Sequence, residues 1–226
     1  MKRPALLAVA LAGAVLAAVW LGPLALRELG VFRVRRVELV GTRYLAPDRL
    51  VARLGLQPDQ NLFDDVRAIA RRAEQVPGVV SARVERRLPG TLRIVVVERA
   101  PVAFAPGPNG LVALDADAEQ LPYDPAATGL DLPVVPRPDS VVLGALARVR
   151  AADSTLYQEV QTAELGPNGV VIVHLGARRL LLRGVPPLEV VQAVAAVRRH
   201  LAMSGRRYAE LDARYRGWVV VRRSHT

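Results

Sequence analysis

A mixed α+β chain carried behind one membrane-spanning helix is the architecture this sequence predicts. Three observations carry the prediction. Pro4 to Leu26 is a run of 23 residues without a charge, Phe32 to Arg99 alternates strand and helix patterns, and the remainder breaks into short strands with flanking helices. With 226 residues, 51% hydrophobic and 23% charged, the chain is long enough for a core, and it is neither a disordered tail nor a polytopic membrane protein. Cysteine is absent, which excludes disulfides, thiolate metal sites and cysteine nucleophiles.

As a helix the uncharged run covers roughly 34 Å, enough to cross a hydrocarbon core of about 30 Å with some tilt. Lys2 and Arg3 precede it, Trp20 lies near its far end, and Arg27 and Glu28 close it. A cleaved signal peptide shares the basic start, but its apolar region spans only about 7 to 15 residues. The run is therefore expected to be an uncleaved anchor. Charge leaves the orientation open, because basic residues flank both ends and long domains translocate largely regardless of charge.

Arg36 to Val40 alternates, with Val37 and Leu39 on one face, and Gly41 stops it: a short strand. Pro47 suits the first turn of a helix to about Leu54, with Gly55 at its C-terminal end. Asn61 is the expected cap of a second helix whose apolar stripe is Leu62, Val66, Ile69, Ala73 and Val76. Pro77-Gly78 ends that helix. A strand from Val79 to Leu88 follows, in which Val80, Ala82 and Val84 alternate with Ser81, Arg83 and Glu85; Pro89-Gly90 turns the chain, and Thr91 to Arg99 sends Leu92, Ile94 and Val96 to one face, which predicts a hairpin.

Beyond Pro101, Val102–Ala105 and Leu111–Leu114 are candidate strands around a Pro/Gly turn, and Pro122 to Pro138 is loop-rich. Ser140 to Ala152 is expected to be helical. Tyr157–Leu165 and Val170–Leu175 read as a hairpin around Gly166-Pro167-Asn168-Gly169, and Arg179–Arg183 as another strand. Leu188 to Met203 follows as a helix with Val190, Val194, Val197 and Leu201 on one side. Glu210–Tyr215 and Trp218–Arg222 close the chain as two strands. The punctuation divides the chain into residues 1–30 (stub and membrane helix), 31–100 and 101–226.

The stretch ARVERRLPGTLRIVVVERAPVAF, Ala82 to Phe104, resembles the end of the POTRA domain in the FtsQ/DivIB family of bacterial cell-division proteins. FRVRRVELVGTRYL and NLFDDVRAIARRAEQVPGV are similar to that family's opening strand and second helix. The family layout, an anchor, one POTRA unit and a C-terminal β domain, covers essentially the whole chain. The resemblance implies a non-enzymatic, cofactor-free, single-span protein of the cytoplasmic (inner) membrane, its N-terminus in the cytoplasm and its bulk outside, at the division site. It further implies a link between early and late divisome components, with partners of the FtsB/DivIC and FtsL type, and regulation of septal peptidoglycan synthesis. A POTRA chaperone in polypeptide transport is the rival reading. Such proteins carry several POTRA units and a barrel, for which there is no length here.

Asp212, Arg214, Tyr215 and Gly217 are similar to the family's Asp-x-Arg-Tyr strand and Gly turn, which implies partner docking on the final strands, extending to Trp218, Val220 and Arg222. An open strand edge supplies unpaired backbone groups that an incoming segment completes. Tyr215 and Trp218 are either its anchors or the packing of the last hairpin. Arg222 and Arg223 favour an acidic partner.

Catalytic constellations are not evident. His174, His200 and His225 are scattered, and no P-loop, dinucleotide fingerprint or Gly-x-Ser-x-Gly elbow occurs. Asp115, Asp117 and Glu119 lack the glycine and the spaced glutamate of a calcium loop, so a solvated hairpin is expected. The net charge of +10 invites a nucleic-acid reading that its distribution opposes. Residues 31–100 hold 14 Arg against 8 acidic residues, whereas 101–226 hold 14 Arg against 12, and no aromatic interleaving supplies stacking platforms. Neither nucleic acid nor a small-molecule substrate is expected.

Overall fold

The structure is a computed structural model and describes residues 30–223. The uncharged run from Pro4 to Leu26 and its flanks lie outside the described residues, and no helix among the described residues is long and apolar enough to cross a membrane. The chain divides between Glu98 and Arg99 into two units.

The first unit runs β1 (Arg36–Val40), α1 (Pro47–Arg53), α2 (Val66–Glu74), β2 (Val79–Arg87) and β3 (Thr91–Glu98). Its sheet has the order β1-β3-β2, with β1 parallel and β2 antiparallel to β3. Parallel neighbours need a long crossover, and the two helices together with β2 supply it. Leu92, Ile94 and Val96 on β3 are buried against Leu50, Leu54 and Ile69 of the helical layer. Gly41 ends β1 at φ +90°, and a Cβ there would lie 2.1 Å from the Val96 carbonyl oxygen, so the close approach of the two strands requires glycine.

Two local expectations are corrected here. Asn61 does not cap α2. It is buried in an antiparallel bridge with Arg33, its side chain accepts from Phe63 N at 3.0 Å, and the helix starts after Asp65, whose Oδ1 accepts from Arg67 N at 2.9 Å. Of the three capping-type residues ahead of the helix, Asn61, Asp64 and Asp65, the first is consumed by pairing. On β2, an irregularity between Val79 and Ser81 shifts the register, so Val79 is buried and Val80 is 58% exposed.

The second unit runs β4 (Ala103–Gly107), β5 (Gly110–Leu114), β6 (Gln120–Leu121), α3 (Pro125–Thr128), α4 (Ser140–Ala152), α5 (Ser154–Gln158), β7 (Thr162–Leu165), β8 (Val170–Leu175), β9 (Arg178–Arg183), α6 (Leu188–Met203), β10 (Glu210–Asp212) and β11 (Val220–Arg222). Five strands form a sheet in the order β11-β10-β9-β8-β7, and three form β4-β5-β6. Val134 bridges Phe104 of β4 on one side and Thr162 of β7 on the other, which covers the β7 edge. Helices α4 and α6 pack on the five-stranded sheet through Leu143, Leu146, Val191 and Val194. The α6 crossover brings β10 parallel to β9.

The segment expected as a strand from Tyr157 begins instead as α5. Asp153 accepts from Leu156 N at 3.0 Å as its cap, and the buried Tyr157 hydroxyl donates to the Val102 carbonyl. The closing strands are also shorter than expected. Residues 213–219 form an irregular connection, so Arg214, Tyr215 and Trp218 lie on a loop rather than on strands.

The family-like run Glu98 to Ala103 has structural work in each unit. Glu98 accepts backbone N–H donations from Arg43, Tyr44 and Leu45 at 2.7–2.9 Å, fastening the loop between β1 and α1. Arg99 pairs with Asp115 at 2.9 Å and Glu119 at 3.2 Å, and Arg150 donates to the Pro101 carbonyl.

Candidate docking edge

The last hairpin turns about Arg216 and Gly217, setting Glu210 opposite Arg222, Leu211 opposite Val221 and Asp212 opposite Val220. Alternation along β10 sends Leu211 to the core against Leu180 and leaves Glu210 and Asp212 on the other face. Both acids are nonetheless buried, at 3% and 1% exposure, because arginines lie over them.

Glu210 is the middle of a three-strand row, Arg179–Glu210–Arg222. Arg179 Nε donates to its Oε2. Arg222 Nε stands 3.2 Å from Oε1 off the hydrogen-bond axis, so that oxygen has a charge beside it but no aimed donor among the described residues. Asp212 is more fully matched. Arg214 Nε and Nη2 donate to its two oxygens at 2.8 and 2.6 Å, and Arg214 N donates at 3.2 Å. The Arg214 hydrogen bonds hold the Asp212 carboxyl below the ordinary carboxylate range against the opposing effect of burial, and Asp212 holds the Arg214 guanidinium correspondingly higher.

β11 is the last strand of its sheet, and no strand pairs with its outer side among the described residues. Around that edge the exposed apolar groups are Trp218 (76%), Tyr215 (53%) and Val220 (43%). Gly217 turns the loop at φ +76°, and the Arg214 guanidinium lies over the Tyr215 ring at 5.7 Å. Beside the edge a groove of about 490 Å³ runs between α6 and β11. Ala196, Val197, His200, Leu201 and Val221 line it with Arg206, Arg207 and Arg223.

The predicted site residues thus separate into two sets. Asp212 is spent inside the fold, with Arg214 clamped to it, while Tyr215, Trp218, Val220 and Arg222 reach the surface around one edge. Sequence reading missed Glu210 and Arg179 as members of the site. The hairpin symmetry about residue 216 was a usable signal for the Glu210–Arg222 pair; Arg179, joined through the α6 crossover, left none. Also unforeseen is the network in which Glu159 joins Arg178 at 3.0 Å and Arg198 at 2.5 Å, with the Tyr208 hydroxyl bound to both arginines. Asp115 is buried, at 5% exposure, rather than solvated as expected. Its oxygens accept from Asp117 N, Glu119 N and Arg99, and among the described residues no group of three acids or histidines is placed to hold a metal.

A β-α-α-β-β unit with a central β3, followed by a mixed unit ending on an open β edge, defines a POTRA-containing protein. A family description, POTRA domain of FtsQ type, matches residues 32–99. The chain is 32% identical over 228 residues to the cell division protein FtsQ of Myxococcus fulvus, covering 90% of this chain and 79% of that one. It is 24% identical over 171 residues to FtsQ of Corynebacterium glutamicum, covering 73% and 77%. FtsQ of Mycobacteroides abscessus matches at 33% over 98 residues, 32% of that protein's length. The chain belongs to the FtsQ/DivIB family of cell-division proteins.

Proposed function

We propose that the chain is a non-enzymatic, single-span scaffold of the divisome. Pro4 to Leu26 anchors it in the cytoplasmic membrane with the N-terminus inside and both units outside. It links early and late division proteins and regulates septal peptidoglycan synthesis by docking alone. Confinement to the membrane raises the effective concentration of its partners.

The observation that carries this reading is the open outer edge of β11, flanked by Trp218, Tyr215 and Val220. A segment of an FtsB/DivIC-type bitopic partner adds to that edge as a further strand, and an FtsL-type protein joins through the same assembly. Main-chain hydrogen bonds supply affinity, while the exposed rings set register. The groove beside α6 accepts an apolar side chain of the partner, and Arg206, Arg207 and Arg223 favour acidic neighbours.

Two measurements test the reading. Tagged protein concentrates at the division site in dividing cells, and a uniform membrane signal would count against the scaffold role. A reporter active only outside the cytoplasm, fused after Thr226, is active; activity of a cytoplasmic reporter alone would reverse the topology.

A further inference from the structure

We propose that the tip of the β2–β3 hairpin, together with the segment entering β1, is a binding surface for anionic phospholipid headgroups. The inference rests on the membrane-anchored reading above and adds a second, peripheral contact with the bilayer.

Arg35 N and Arg36 N both donate to the Gly90 carbonyl, at 2.8 and 3.2 Å. A Cβ on Gly90 would lie 2.8 Å from the Arg33 carbonyl oxygen and 3.5 Å from the Arg35 side chain. The hairpin tip and the entering segment are therefore one surface, close-packed through a glycine. The register adds Arg87, because Arg36 and Arg87 both lie opposite Thr91 from the two sides of β3. Arg33, Arg35, Arg36 and Arg87 are all exposed, and none makes an ion pair with a carboxylate among the described residues. The nearest acids on that sheet face, Glu38 and Glu85, lie opposite Arg93 in the next row, and Glu85 is 4.0 Å from Arg93.

Two exposed apolar side chains accompany the arginines: Leu88, 66% exposed at the tip, and Val31, 48% exposed at the entry. Cations with no carboxylate partner among the described residues, set around isolated apolar groups, suit a lipid interface, where the cations meet headgroups and the apolar tip enters the acyl boundary. Chain length identifies the occupant. The uncharged run ends at Leu26, five residues before Val31, and five residues reach at most about 18 Å. A chain anchored by that run holds this patch beside the headgroups of its own membrane, where anionic lipid is always within reach.

The chain contains no cysteine, so Leu88→Cys gives a single labelling site for an apolar fluorophore. The full chain is placed in nanodiscs of phosphatidylcholine, with or without phosphatidylglycerol, containing a lipid-borne quencher. Flotation in alkaline carbonate is scored alongside. Quenching severalfold stronger with phosphatidylglycerol is expected. It should weaken as salt is raised, and by about fivefold in contact equilibrium for each of Arg33→Gln, Arg35→Gln and Arg87→Gln. Unlabelled Leu88→Ser should speed amide exchange at residues 86–90 in the anionic nanodiscs only. A chain that floats but shows no lipid-dependent quenching overturns the proposal, keeps the anchor and leaves the patch to an acidic protein segment. A chain that does not float overturns both.

Discussion

Arg214 grips Asp212 from two residues away, its Nε and Nη2 donating to the two carboxylate oxygens at 2.8 and 2.6 Å. The pair closes the end of β10 and fixes how the chain leaves the sheet toward Tyr215 and Trp218. Asp212→Ala removes both side-chain acceptors of the Arg214 guanidinium and frees the Arg214 backbone N–H. A loss of about 2 kcal/mol in the second unit is expected, measured by urea unfolding. Asp212→Asn, which keeps one acceptor, should lose less.

The same pair sets an acid response. The Asp212 carboxyl titrates below its unfolded value, near 3.9, chiefly because Arg214 hydrogen-bonds it. Between the two values the unfolded chain binds more protons, so stability rises with pH there. The contribution is complete above the unfolded value and disappears as pH falls through the folded one. Unfolding curves from about pH 2 to 6 should show that slope, and Asp212→Asn should flatten it.

Gly41 carries a different kind of constraint. Gly41→Ala meets both a positive φ and a backbone oxygen at 2.1 Å. Neither obstacle is a flexible side chain that moves aside. The β1–β3 pairing should loosen, with a loss of at least about 2 kcal/mol in the first unit and faster amide exchange on both strands.

Glu98→Ala should act more locally. Three backbone N–H groups at residues 43–45 lose their shared acceptor, and in this partly exposed loop water replaces it. A cost of about 1 kcal/mol is expected, with accelerated exchange confined to residues 42–46. Exchange spread through the whole sheet would contradict that confinement.

At the docking edge, Trp218→Glu should weaken capture of a purified FtsB/DivIC-type partner by tenfold or more while leaving both units folded, because the side chain is 76% exposed. Val220→Lys should act in the same direction by blunting the edge. Unchanged capture with both variants would move the docking surface away from β11.

Local signals carried most of the elements. The 3.6-residue stripe of α2 and the alternation of β3 both reflect one buried face, and Ser140–Ala152 and Leu188–Met203 fall where their patterns place them. The misses share a cause in tertiary pairing. Asn61 has the chemistry of a cap but pairs with Arg33, and Val80 has the right alternation but sits at a register shift. Tyr157 has strand propensity, yet Asp153 starts a helix ahead of it. For the edge, Tyr215 and Trp218 were legible as surface candidates through their types. That Asp212 is buried under Arg214 depends on the crossover that seats β10 beside β9, which no nearby residue encodes.

That crossover also bears on how the protein is made. β10 and β11 follow α6, and β10 takes its place only after α6 has passed over the sheet. A chain released before residue 210 would end its sheet on β9, presenting Arg178–Arg183 at the rim in place of Val220–Arg222. Formation of the surface proposed to receive a partner is thus coupled to the packing of α6, and a chain that stops short of β10 folds without it.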